Sequence, residues 1–176
     1  MNPQRDRGIR TENEACRMLE ELLHLPHKAV NRRKNEGIPE DIGDLIGVPG
    51  CTIQVTRCKD DLRPIADRAR TKLADLHDQQ GRAGTRHGVV LLRIDGAGRR
   101  PGVWRAIVGF IQMHDLRGPT DIWSRPSHVW HNPQGWIIRH APDVATGGWH
   151  QVAPGRYVAT IETWCADYLA ASRTTV

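Results

Sequence analysis

The stretch from Asp41 to Lys59, DIGDLIGVPGCTIQVTRCK, decides the fold. Asp44 closes a short extended run, and Gly47, Pro49 and Gly50 supply a turn. The run Cys51 to Cys58 that follows is rich in residues that favour strands. In a strand, Gln54, Thr56 and Cys58 share one face, and Ile53, Val55 and Arg57 share the other. Hairpin pairing of the two runs brings Asp44 beside Gln54. Two oxygen ligands then converge at one end of a small sheet, a seat suited to a hard cation such as Mg²⁺.

Upstream, Pro26 sets the end of a helix over residues 10–25 that Thr11 or Asn13 can cap. Its apolar stripe is Ala15, Met18, Leu19, Leu22 and Leu23. Glu12 falls on that stripe, whereas Glu20 and Glu21 point away. A carboxylate among core residues is costly unless it is paired or near a metal, so placement makes Glu12 a candidate ligand. The competing reading is a wet first-turn acid that favours the helix dipole. His27 to Lys34 reads as a strand with a basic end, Arg32, Arg33 and Lys34, followed by a loop over residues 35–40.

Downstream, Asp60 and Asp61 cap a second helix with Pro64 in its first turn, stopped by Gly81 or Gly84. Its apolar residues include Ile65, Leu73 and Leu76; Arg63, Arg68, Arg70 and Lys72 lie mainly off that face. They can meet phosphates or simply form a solvated surface. His87 to Ile94 is an apolar run that suits a strand covered on both faces. Val103 to Val108 is a further strand, leading into a short helix. The resulting order is α-β-β-β-α-β-β.

These residues carry a resemblance. An Asp, a short connection and an E-x-K triplet between apolar residues form the signature of the PD-(D/E)xK nuclease superfamily. The string Arg7-Gly8, Glu12, Gly43-Asp44-Leu45, Gly47 to Gly50 and Ile53-Gln54-Val55 resembles the Holliday junction resolvase-like nucleases of actinobacterial phages. It spans about the first two thirds of the chain. Here Gln54 stands in place of the Glu and Thr56 in place of the Lys. The resemblance implies a metal site of Asp44, the Gln54 side-chain carbonyl, the Val55 main-chain carbonyl and Glu12. Thr56 then lies where a lysine orients the attacking water. Arg57 and Lys59 are nearby cations that alternation points away, and a bulge is needed to swing Lys59 in.

The chain has 176 residues, 39% hydrophobic and 26% charged, enough for a folded domain with a real core. No apolar run is long enough to span a membrane, and the charged N-terminus lacks a signal core, which predicts a cytoplasmic protein, in the host's cytoplasm if a phage encodes it. Net charge is +5, and residues 1–117 hold 21 Lys and Arg against 16 Asp and Glu, while residues 118–176 hold four of each. The basic excess therefore accompanies the candidate site, which fits a polyanion such as nucleic acid. The four scattered cysteines read as buried thiols rather than a zinc ribbon.

All six tryptophans fall at or beyond Trp104. Residues 118–155 read as short strands and turns, and residues 159–171 as a closing helix with Ile161, Trp164, Cys165, Tyr168 and Leu169 inward. His128, His131, His140 and His150 match no strong metal motif. Trp130, Trp136 and Trp149 can stack on unpaired bases or fill a small core. Cys58 beside Lys59 has no base to activate it.

The expected protein is α/β: a restriction-endonuclease-like core over residues 1–117, a mixed sheet flanked by helices. A Trp-rich β-hairpin and helix extension over residues 118–176 packs on the same domain. The expected activity is Mg²⁺-dependent, with Mn²⁺ able to substitute, cleaving branched DNA as a homodimer. Glu12, Asp44, Gln54, Thr56 and Lys59 carry the chemistry; Arg32, Arg33, Lys34, Arg57, Arg63 and Arg70 meet the nucleic acid. The alternative is a binding module of the same fold that grips branched or single-stranded nucleic acid, or a partner protein, without cutting.

Overall fold

A computed structural model describes residues 3–33, 41–58, 65–95, 103–117, 148–153 and 155–173. In chain order the elements are α1 (Pro3–Leu22), β1 (Asn31–Arg32), β2 (Leu45–Ile46), β3 (Cys51–Cys58) and α2 (Ile65–Ala83). β4 (His87–Ile94), β5 (Val103–Gly109), α3 (Phe110–Arg117), β6 (His150–Ala153), β7 (Arg156–Thr160) and α4 (Ile161–Arg173) follow. The strands form one seven-stranded mixed sheet in the order β1-β2-β3-β4-β5-β7-β6. β3 and β4 run parallel across the α2 crossover; the other neighbours are antiparallel. The fold is therefore α/β, and the described part of the C-terminal region continues the same sheet through β7 on β5.

The sheet separates two apolar layers. Ala15, Cys16 and Leu19 of α1, with Leu23 just beyond it, pack on Ile53, Val89, Leu91, Ala106 and Val108, and Trp164 and Tyr168 of α4 join the same layer. On the other face Leu76 of α2 meets Cys58, Val90, Leu92, Ile94 and Ile107. β4 feeds both layers, which is why its sequence runs almost unbroken in apolar residues. Trp164 is fully enclosed and stacks on Tyr168 at 5.2 Å between ring centroids.

Three expectations need correction. α1 begins at Pro3, not near residue 10, so Thr11 is no cap; its hydroxyl donates to the Arg7 carbonyl one turn back. The strand read from His27 to Lys34 shrinks to two residues, because a turn intervenes, Ala29 N–H donates to the Pro26 carbonyl and Lys28 adopts a φ of 62°. Glu20 does not point away: it is buried and accepts the Val30 main-chain N–H at 3.1 Å. Asp60, Asp61 and Pro64 lie outside the described residues, as does the Trp-rich span 118–147.

Candidate functional site

The β2–β3 hairpin sets Asp44. Leu45 pairs with Ile53, and the Asp44 N–H donates to the Ile53 carbonyl at 2.8 Å. Gly43, with a φ of 111°, packs against that same carbonyl. The Asp44 carboxylate then reaches along β3 and accepts the Val55 N–H at 2.7 Å. Because the N–H and C=O of one strand residue point to the same side, the Val55 carbonyl also faces the β2 edge, past the end of its two-residue ladder.

Burial pushes the Asp44 carboxyl above the usual carboxylate range. The Val55 N–H and the Lys72 ammonium pull it back, while Glu12 and Asp41 are near enough to push it up. Glu12, from α1, is paired with the Arg32 guanidinium. Gln54 is 3% exposed, on the α2 face of β3. Its amide donates to Gln79 Oε1 at 2.5 Å, and its carbonyl oxygen accepts from Lys72 Nζ at 3.2 Å. Lys72 is thus the link between Asp44 and Gln54.

The structure brings Glu12, Asp44, the Val55 backbone and, through Lys72, Gln54 to one end of the sheet. Gln54 and Glu12 come from opposite faces, each already engaged by a side chain of this protein. Thr56 is half-buried on the Gln54 face. Arg57 is held by Asp95 at 2.6 Å, and Arg32 by Glu12, so both serve internal pairs. The Arg33 N–H donates to the Asp44 carbonyl at 2.9 Å, and Arg70 is exposed on α2. Lys34, Lys59 and Arg63 lie outside the described residues. Among the described residues no three His, Cys, Asp or Glu side chains group as metal ligands.

Lys72 is the site member that sequence reasoning misses. A signal for it exists: Lys72, Leu76 and Gln79 stand at i, i+4 and i+7, so the buried stripe of α2 carries the lysine with it. Among the described residues no helix is long and apolar enough to cross a membrane. No protein-family model, no curated protein and no solved structure matches this chain.

Proposed function

We propose that the chain is a Mg²⁺-dependent structure-selective nuclease of the PD-(D/E)xK kind that acts on branched DNA, with Lys72 in place of the lysine that β3 lacks. The observation that carries this reading is the convergence on Asp44. A desolvated carboxylate, a second acid and an ammonium meet at one sheet end, from β2, α1 and α2. A fold gains no stability from a carboxylate whose burial disfavours its charge, so such a group points to chemistry. The element order α-β-β-β-α-β-β, with α1 and α2 on opposite faces of the sheet, agrees with the nuclease core that the resemblance implies.

The residues present fit a hard cation in part. Asp44 and the Val55 carbonyl offer oxygens at the same edge, and Glu12 stands close by. Gln54 and Glu12, now engaged by Lys72 and Arg32, would complete the set that holds such an ion. Mg²⁺ bound there supplies polarisation of the phosphate and a more acidic attacking water. Asp44 holds the reacting end against β3. Lys72 sets an ammonium beside it, placed to offset negative charge as the phosphate is attacked. Arg32, once released from Glu12, gives a planar donor for a phosphate oxygen.

The test is cleavage of junction, flap and linear DNA in Mg²⁺ and in Mn²⁺. Cutting that disappears in Asp44→Ala supports the nuclease. A second reading, a binding module without cleavage, is favoured by one observation: both ends of the Gln54 amide and the Glu12 carboxylate are already satisfied internally. Salt-sensitive binding with no cutting in either metal supports that reading.

A further inference from the structure

The far end of β3, beyond the Asp44 site, carries a row of side chains of which the nuclease reading uses only Arg57. Arg57 on β3 is in register with Arg93 on β4, and Arg93 with Trp104 on β5. Alternation puts all three on the α1 face, since Val55, Leu91 and Ala106, each two residues along its own strand, pack in the α1 layer. The row is held rigid. Asp95 takes both guanidiniums, from Arg57 at 2.6 Å and from Arg93, and Glu14 of α1 accepts from Arg93 at 3.1 Å and from the Trp104 indole N–H at 2.9 Å. Trp104 packs on the α1 layer yet is only half-buried.

α1 overhangs this row. Glu14 is level with Arg93, near the last residue of β4, while Thr11 is buried and Glu12 pairs with Arg32, so residues 4–10 extend the helix beyond its buried part for roughly 10 Å at the helical rise. None of residues 4–10 is buried, and Arg5, Arg7 and Arg10 are exposed. Arg7 stands seven residues before Glu14, hence on the same side of the helix as the carboxylate that holds Arg93 and Trp104. The ion pairs that hold this row add little to stability, because exposed pairs of this kind contribute little.

We propose that Arg57, Arg93 and Trp104, roofed by Arg7 of α1, form a track for a single-stranded stretch of nucleic acid leading to Asp44. Trp104 stacks a base, and the two guanidiniums meet the phosphates on either side. A fixed ring and clamped cations lose little freedom on binding, which favours an unpaired strand whose bases are available. The track starts two residues from Val55 on the same face of β3, so a strand lying on it directs its junction with duplex toward the carboxylate. The inference rests on the nuclease-like reading of the Asp44 site for its substrate class, but its test is separate.

The experiment measures fluorescence anisotropy of a labelled oligo(dT) and of a blunt duplex, in EDTA, with the full chain carrying Asp44→Ala so that cutting plays no part. The expected result is tighter binding of oligo(dT) than of duplex. Trp104→Leu should weaken oligo(dT) binding about tenfold, with little change for duplex, and Trp104→Phe should retain most of the affinity. Arg93→Gln should weaken binding and reduce its salt dependence by about 0.7 in the logarithmic slope. Circular dichroism shows whether each variant is folded; if Trp104→Leu is not, Trp104→Phe and Arg93→Gln decide. No oligo(dT) binding, or binding indifferent to both positions, overturns the track and leaves the cleavage assay untouched. Track-dependent binding in a chain that never cuts removes the nuclease and leaves the track.

Discussion

The Asp44 carboxylate and the Val55 main-chain N–H meet at 2.7 Å, and this one bond turns the carboxylate along β3 rather than out to water. Burial then raises its pKa above that of an ordinary aspartate. A carboxyl whose folded pKa lies above its unfolded value of about 3.9 contributes stability fully only below that unfolded value. The contribution is lost as pH rises through the folded pKa. Asp44→Asn keeps an oxygen acceptor for Val55 and removes the charge. The stability of the Asp44→Asn variant relative to wild type should therefore rise from about pH 3 to about pH 7, measured by urea unfolding at each pH. A wild-type chain that gains on the variant as pH rises would contradict the desolvated carboxylate.

Lys72 carries a prediction on rate. It is the single cation placed to serve both Gln54 and Asp44 among the described residues, and its side chain is 37% exposed. Lys72→Met should lower single-turnover cleavage about 100-fold, the lower range for a positioned proton-transfer or charge-bearing group. Its effect on unfolding should stay within about 1 kcal/mol, as for other partly exposed cations. Unchanged cleavage by a folded Lys72→Met chain would remove the lysine from the mechanism.

Glu20 should prove structural. Its carboxylate satisfies the buried Val30 N–H where the chain turns from α1 into β1, with His27 at 3.7 Å. Glu20→Ala leaves that donor without its acceptor, at a cost of about 1–3 kcal/mol. Glu20→Gln keeps a side-chain oxygen in reach and should cost clearly less. Denaturant midpoints of the two variants check the order; equal losses would mean that charge, not the hydrogen bond, matters there.

Which parts of this architecture are legible in the sequence follows from local physics. β3 is legible from its run of residues that favour strands, and β4 from an almost unbroken apolar run that suits a strand covered on both faces. α4 is legible because Ile161, Trp164, Cys165 and Tyr168 repeat with the helical period, and all four are buried. The antiparallel register that sets Asp44 beside β3 follows from the turn at Gly47 to Gly50. Polar residues that act internally are harder. Glu20 and Arg32 look like solvent-facing positions by type, and only their partners from other elements reveal their use. The turn before β1 escapes a sequence reading because nothing in Pro26 to Val30 announces a lysine at positive φ.

Gly47 is the most exacting position of the hairpin. Its φ is 105°, and a Cβ there would lie 1.9 Å from the Ala29 carbonyl oxygen, a main-chain atom that no rotamer change can move. That close approach seats the turn before β1 against β2, and the Arg33 N–H bond to the Asp44 carbonyl depends on the same contact. Gly47→Ala combines a strained backbone with a main-chain clash and should cost about 3 kcal/mol or more. Gly84, which ends α2 at a φ of 63° with open space around it, provides the control. Gly84→Ala meets the left-handed penalty alone, about 1–2 kcal/mol. Urea unfolding of the two variants should separate them by that margin. If Gly47→Ala is no worse than Gly84→Ala, β1 is not seated on β2 in the way that fixes Asp44, and the cleavage rate of Gly47→Ala should then match wild type as well.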